Sequence, residues 1–205
     1  NKYAFVSTLR PRTQHESEFF SDELLDHHII ICGVNPNMKH LILPLRTRCK
    51  EKHNTILILD KNEHLPSEIW KEIQYFPNIY YMQGNPIKSD DLKKARVSKA
   101  LAVVILSKNN QGEQLWEMVD ADTIFVYKAI KNESSNTLII ADLISSNSIG
   151  YINNTGGENM DNFGFWLNEA FAAGELYISS MLDTLICQSF YNPYILNIIY
   201  QLMNR

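Results

Sequence analysis

The residues of this chain that could perform chemistry do not recur at spacings that a known reaction requires. The three cysteines, Cys32, Cys49 and Cys187, form neither a Cys-x-x-Cys pair nor a Cys/His pair with metal-ligand spacing. The six histidines are scattered, and the sequence contains no Gly-x-Ser-x-Gly turn that would expose a nucleophilic serine. No motif fixes a pair of carboxylates for acid and base work. We therefore expect a protein that is not an enzyme.

One group of acidic residues has a regular spacing. Glu113, Glu117 and Asp120 follow an i, i+4, i+7 pattern on a predicted helix, which places them on one helix face. Such a stripe is a weak candidate site for a regulatory cation, calcium or sodium. The alternative is a solvated helix face, and no EF-hand loop is present to favour calcium.

Dinucleotide binding by such a chain would require a Gly-x-Gly-x-x-Gly turn after the first strand, where the backbone contacts the phosphates. The corresponding turn is Gly33-Val34-Asn35-Pro36-Asn37-Met38, in which only the first glycine is present. Met38 adds bulk where helix and strand should pack closely, and Pro36 lacks an amide donor. Asp60 ends the second strand, where a ribose-binding acid belongs, but we interpret it as a solvated strand-end carboxylate. Nucleotide binding therefore stays an alternative only.

The elements that would position these residues alternate between strand and helix. Apolar runs predict strands at 28–33, 55–60, 78–84, 100–107 and 137–143. Helical segments are predicted at 35–52, 66–73, 89–95 and 112–131. Right-handed crossovers between such strands give an α/β, Rossmann-like fold, with a parallel sheet flanked by helices.

Composition limits the classes of partner. Of 205 residues 45% are hydrophobic and 20% are charged, as in packed globular proteins, and the net charge of -4 provides no field that recruits nucleic acid. The sequence has no apolar run long enough to cross a bilayer, so we expect no direct membrane insertion of this segment. Scattered cysteines indicate a reducing, cytosolic compartment. We expect the chain to be a fragment of a longer protein.

The alternating pattern ends after residue 152. We divide the chain into a linker at 1–26, a core at 27–152, a loop at 153–169 and a helix-turn-helix at 170–205. The two predicted helices of the helix-turn-helix, at about 170–190 and 193–203, are apolar on nearly all sides. They therefore need a partner surface. The candidate interface residues are Leu176, Tyr177, Met181, Leu182, Leu185, Tyr194, Ile195, Ile198 and Ile199.

Several strings resemble the Slo family of large-conductance, ion-activated potassium channels, and in particular its second RCK domain (regulator of potassium conductance). They are His27-His28-Ile29-Ile30-Ile31-Cys32-Gly33, Leu43-Pro44-Leu45-Arg46, the run from Phe76 to Pro86, Phe171-Ala172-Ala173-Gly174 and Ser179-Ser180-Met181-Leu182-Asp183-Thr184-Leu185. The resemblance covers nearly all of residues 27–203.

The resemblance implies a cytoplasmic domain of an integral membrane protein. In this family four subunits, each with two RCK domains, form a gating ring, and ion binding to the ring opens the pore. The implied partners are the adjacent RCK domain and the neighbouring subunits of a homotetramer, contacted through the terminal helix-turn-helix. The acidic bowl of the calcium-activated branch has no counterpart at 153–168, which makes the chain look more like the sodium-activated branch.

Overall fold

The computed structural model describes residues 25–47, 54–107, 119–152 and 168–203. Six strands and seven α-helices lie in these ranges. The strands are β1 (Ile29–Cys32), β2 (Ile56–Asp60), β3 (Ile79–Gln83), β4 (Ala102–Ile105), β5 (Leu138–Leu143) and β6 (Leu176–Ile178). The helices are α1 (Met38–Thr47), α2 (Ser67–Ile73), α3 (Ser89–Lys94), α4 (Ala121–Glu133), α5 (Glu169–Ala172), α6 (Ser179–Tyr191) and α7 (Tyr194–Met203). No helix in the described ranges has the length and apolarity to span a membrane.

The strands form one parallel sheet in the order β3-β2-β1-β4-β5-β6. Chain order reverses between β1 and β4, and this switch point is where open α/β sheets usually bind ligands. The pairing is in register across the centre, with Ile31 opposite both Ile58 and Val104. The predicted α/β, Rossmann-like fold and its five strands are confirmed.

Each face of the sheet has its own core cluster. Alternate residues of the strands enter opposite clusters because side chains of a strand point to opposite faces. One cluster joins α3 and α4 to the sheet through Leu92, Val126, Ile130, Ile30, Val103 and Ile139. The other joins α1 and α2 through Met38, Ile42, Ile69, Ile73, Ile31 and Ile58.

A single helix was predicted from about residue 170 to residue 190, and this prediction is wrong for the first third of the segment. It forms the short helix α5, a turn at Gly174 with φ of 76°, and then the sixth strand. Leu176 and Ile178 are buried while Tyr177 between them is exposed, which is the period-two burial of a strand. Only three residues carry this signal, and the apolar helix that follows obscures it.

Two other predicted helices are described over only part of their predicted length. The helix predicted at 35–52 is described over Met38–Thr47, and residues 48–53 lie outside the described ranges. The helix predicted at 112–131 is described as Ala121–Glu133, preceded by a turn, and residues 108–118 lie outside as well. Most of the predicted linker and of the predicted loop, residues 1–24 and 153–167, also fall outside.

Candidate interaction surface

The turn after β1 is built for close backbone contact, with little room for a ligand. Gly33 has φ of 90°, and a Cβ there would lie 3.1 Å from the Leu106 carbonyl oxygen. The Asn35 side chain accepts a hydrogen bond from the Asn37 amide at 2.9 Å, and Met38 is fully buried under the turn. The cavity bounded by Gly33, Asp60 and Leu106 measures about 30 Å³, far below the roughly 300–1,000 Å³ of a typical ligand pocket.

Asp60 corrects one sequence interpretation, because it is buried and is not a solvated carboxylate. Its Oδ2 accepts hydrogen bonds from the Asn62 side-chain amide at 2.7 Å and from the Asn62 backbone amide at 3.3 Å. Burial, with the Asp60 charge nearby, raises the pKa of the Cys32 thiol to about 12. A thiol with that pKa is protonated at neutral pH and is a poor nucleophile or metal ligand.

Of the three cation candidates, only Asp120 lies in the described residues, and Glu113 and Glu117 lie outside them. Asp120 precedes α4 in a turn, so it does not share a face of that helix. It is 2% exposed, and its Oδ1 accepts from the Ile144 amide at 2.9 Å. Its Oδ2 accepts from the Ser145 amide at 2.9 Å and from the Ser148 hydroxyl at 2.5 Å.

These three bonds connect the start of α4 to the segment that follows β5. A cation at Asp120 would have to displace donors that already satisfy the carboxylate. Within the described ranges, no three His, Cys, Asp or Glu side chains cluster as a metal site would require. The geometry of Asp120 therefore fits a structural clamp.

The C-terminal hairpin, α6 and α7, presents an apolar surface to solvent. Asp183 is the only charged residue between Ser179 and Met203. Phe190 and Tyr191 are each 85% exposed, and their rings meet edge to face with centroids 5.4 Å apart. Other exposed large side chains of the hairpin are Ile186, Tyr194, Leu196, Ile198 and Tyr200.

The predicted interface residues divide into exposed and enclosed positions. Tyr177, Tyr194 and Ile198 are exposed, whereas Leu185, Ile195 and Ile199 are half-buried. Met181 is half-buried against the core, and Leu182 lies in α6. Leu176 is 4% exposed inside the core of its own sheet, so assigning it to an interface is incorrect. Phe190 and Tyr191, which are not among the predicted residues, are the most exposed large side chains of the hairpin.

Polar contacts anchor the start of the hairpin to the sheet. The Asp142 carboxylate at the end of β5 accepts from the Ser179 hydroxyl of α6 and from the Ser107 hydroxyl beyond β4, both at 2.7 Å. Burial, followed by the charges of Asp142 and Asp183, raises the pKa of Tyr177. The first residue of the hairpin is therefore held in place at the carboxyl edge of the sheet.

A second anchor lies just before β6. Glu175 accepts hydrogen bonds from the Tyr127 hydroxyl and from the Lys131 ammonium group, the latter at 2.7 Å. Lys131 also lies 5.9 Å from the centre of the Tyr127 ring. Because Tyr127 and Lys131 belong to α4, this cluster joins that helix to the strand that feeds the hairpin.

Comparison with known proteins agrees with this geometry. The family model of the calcium-activated potassium channel slowpoke-like RCK domain matches residues 24–141, more than half of the chain. The chain belongs to the Slo-like RCK domain family. It is 24% identical to potassium channel subfamily U member 1 of Macaca fascicularis over 86% of this chain. It is 28% identical to potassium channel subfamily T member 1 of Gallus gallus over 78% of this chain.

The chain spans 19% and 15% of the lengths of these two relatives. Among solved structures, the human SLO3 gating ring matches with a TM-score of 0.68 and 21% identity, covering 92% of this chain and 36% of that one. This likeness shows that the chain shares the fold of that structure over most of its length. The homology to the gating rings of Slo channels, expected from the sequence strings, is confirmed.

Proposed function

We propose that this chain is the second cytoplasmic RCK domain of an ion-activated potassium channel and transmits ring movements to the pore through its C-terminal hairpin. The observation that carries the proposal is the exposed surface of α6 and α7, which holds one charge, that of Asp183, in 25 residues. An apolar surface of this kind is stable when a partner removes it from water. The partners we propose are the adjacent RCK domain and the neighbouring subunits of a homotetrameric ring.

The anchoring of the hairpin supports a role in transmission. The Asp142 carboxylate at the end of β5 accepts hydrogen bonds from the first residue of α6 and from Ser107, two residues beyond β4, so a displacement of α6 acts on the segments at the ends of both strands. A regulatory cation, calcium or sodium, would act through its different affinities for two arrangements of the ring. Energy would then pass between domains through rigid elements and not through a flexible linker.

The proposed role involves no catalysis. In support, the cavity at the switch point is only about 30 Å³, and burial raises the pKa of the Cys32 thiol beside it to about 12. The alternative of nucleotide binding is tested by thermal denaturation of the purified chain with NAD, NADH, ATP or AMP. A ligand that binds the folded state must raise the melting temperature, and we expect no increase at millimolar concentrations.

The main experiment changes the hairpin in the parent channel and in the isolated chain. Ile198→Lys places a charge on an exposed position of α7, and Tyr75→Lys, in the exposed turn after α2, is the matched control. We expect Ile198→Lys to weaken self-association of the chain in sedimentation experiments. In patch-clamp recordings of the channel, it should shift the ion concentration for half-activation at least threefold. A monomeric wild-type chain, together with unchanged activation of the Ile198→Lys channel, would contradict the proposal.

A further inference from the structure

A cavity at the carboxyl ends of β2 and β3 is much larger than the one at the switch point. It measures about 280 Å³, close to the lower limit of roughly 300–1,000 Å³ for typical ligand pockets. Crevices outside the carboxyl ends of parallel strands are where open α/β sheets bind ligands. We call it the lysine cavity, and its charged and amide side chains are those of Lys61, Gln83, Asn85, Lys88, Asp91 and Lys94.

The lysine cavity is positively charged although the chain as a whole is negative. Three of its lining side chains are lysines and one is an aspartate, whereas the net charge of the chain is -4. Asp91 is already engaged, because its Oδ2 accepts from the Asn85 backbone amide at 2.9 Å and its Oδ1 lies 3.8 Å from the Lys94 ammonium group. Within the described ranges, the ammonium groups of Lys61 and Lys88 have no hydrogen-bond or ion-pair partner. The cavity therefore favours an anion.

The spacing of the lysines favours a ligand with more than one anionic group. Lys88 directly precedes α3 and Lys94 is the last residue of that helix, so their backbones are roughly 9 Å apart along its axis. Lys61 directly follows β2, on the strand side of the cavity. An ammonium group contacts a phosphate oxygen at about 2.7–2.9 Å. Two phosphate groups on separate atoms of one ligand can therefore bind lysines from different parts of the lining at once.

Two amide side chains of the lysine cavity favour a ligand that also carries hydroxyl groups. Gln83, the last residue of β3, is half-buried, and its side chain makes no hydrogen bond in the part of the chain that the structure describes. The Asn85 Oδ1 accepts from the Ile87 backbone amide at 3.1 Å, and its NH₂ group remains as a donor. A carboxamide and a hydroxyl group each contain a donor and an acceptor, so they can pair. None of the described lining residues is aromatic, so a nucleobase would have no ring to stack on.

We propose that the lysine cavity binds a soluble phosphorylated polyol, which is a hydroxyl-bearing ring or chain with phosphate groups on separate carbon atoms. The lysines bind the phosphate groups, and Gln83 and Asn85 bind the hydroxyl groups. The site goes beyond the proposed function, since its lining includes no residue of α6 or α7. AMP has a single phosphate, and NAD and ATP carry theirs in one linear chain beside a base. The expectation that these nucleotides do not stabilise the chain is therefore unchanged.

The test is isothermal titration calorimetry of the 205-residue chain at low ionic strength, with fructose 1,6-bisphosphate and myo-inositol 1,4,5-trisphosphate as probes. We expect a Kd below about 1 mM for at least one probe. Fructose 6-phosphate, which lacks one phosphate group, should bind about tenfold more weakly than the bisphosphate. Added NaCl should weaken binding, because salt screens the lysine charges.

Substitutions in the lining test the site itself. Lys88→Ala and Lys94→Ala should each weaken binding of the probe about tenfold, because each removes a charge-assisted hydrogen bond. Gln83→Leu removes both hydrogen-bonding groups of the amide and should weaken binding about fivefold. Lys71→Ala, which removes a lysine from the last turn of α2 outside the cavity, is the matched control and should leave the Kd unchanged. The melting temperature of each variant without ligand checks that it is folded.

Four results would overturn the inference and leave the proposed function intact, because that function is tested separately through Ile198→Lys. The first is no binding of either probe at about 1 mM. The second is an equal loss of affinity in the Lys71→Ala control, which would indicate attraction to net charge alone. The third is binding of ATP as tight as that of the probes, which would indicate a general anion site. The fourth is sedimentation with vesicles that contain phosphatidylinositol 4,5-bisphosphate without binding of either probe, which would make the ligand a membrane lipid.

Discussion

Removing the Asp120 carboxylate should cost the domain a large part of its stability. Asp120→Ala leaves three donors without their acceptor, the amides of Ile144 and Ser145 and the hydroxyl of Ser148. An unsatisfied buried donor costs about 1–3 kcal/mol, so the upper sum is about 9 kcal/mol. Water reaching the vacated space and movement of the 144–148 segment reduce this sum. We expect a loss of about 4 kcal/mol in the free energy of unfolding, near the upper end for single substitutions.

The assay is urea denaturation of the purified chain, supported by thermal melting. A loss of 4 kcal/mol corresponds to a decrease of about 8–16 °C in melting temperature for a domain of this size. Asp120→Asn keeps one acceptor oxygen and should lose about half as much. Asp122→Ala removes an exposed acid from the first turn of α4 and should cost less than about 1 kcal/mol, the range of a helix-dipole contact.

Two results would refute the structural interpretation of Asp120. One is a loss below 1 kcal/mol for Asp120→Ala, which would mean that its three hydrogen bonds contribute little. The other is a rise in melting temperature with calcium or sodium that is present in the wild type and absent in Asp120→Asn. That second result would make Asp120 a cation ligand, as its spacing with Glu113 and Glu117 first indicated.

Three further predictions concern His28, Gly33 and Glu175. His28 is fully buried, with Nε2 2.9 Å from the Ala95 carbonyl oxygen, and burial lowers its pKa below 6.5. The unfolded chain therefore binds a proton first, so stability should decrease as pH falls below about 6.5, and His28→Gln should reduce that slope in urea titrations from pH 7 to 5. Gly33→Ala should cost about 1–3 kcal/mol in the same assay because of its positive φ and the 3.1 Å approach to Leu106. Glu175→Gln should cost about 1–2 kcal/mol through its bond to Lys131, while Glu68→Gln, in the first turn of α2, should change little.

The central strands are predictable because their sequence signal is complete. Ile29–Cys32 and Ile56–Asp60 are continuous apolar or nearly apolar runs, and both strands are buried along their whole length. Such runs between turn residues leave few alternatives to a parallel sheet. The strand β6 was not predicted because Leu176–Ile178 is only three residues long and is followed directly by an apolar helix.

The candidate site is less predictable, because its properties depend on contacts between distant residues. The spacing of Asp120 from Glu117 indicated a helix face, but its three donors lie 24 to 28 residues further along the chain. Asp60 was interpreted as solvated because nothing in the sequence shows that Asn62 folds back onto its carboxylate. Local spacing predicts which residues share a helix or strand. It does not predict which distant groups will donate hydrogen bonds to their side chains.

The exposure of side chains in the sheet also depends on topology, which local sequence patterns do not reveal. Ile31 and Ile140 are the same residue type in similar apolar strands, yet one is fully buried and the other is 39% exposed. The difference arises from the reversal of chain order between β1 and β4, which moves every later crossover helix to the opposite face. In the ranges that the structure describes, no crossover helix therefore lies over β5 on the side of Ile140. Apolar side chains such as Ile140 of the sheet and Ile198 of the hairpin are therefore exposed in the described part of this chain, and removing them from water would be favourable.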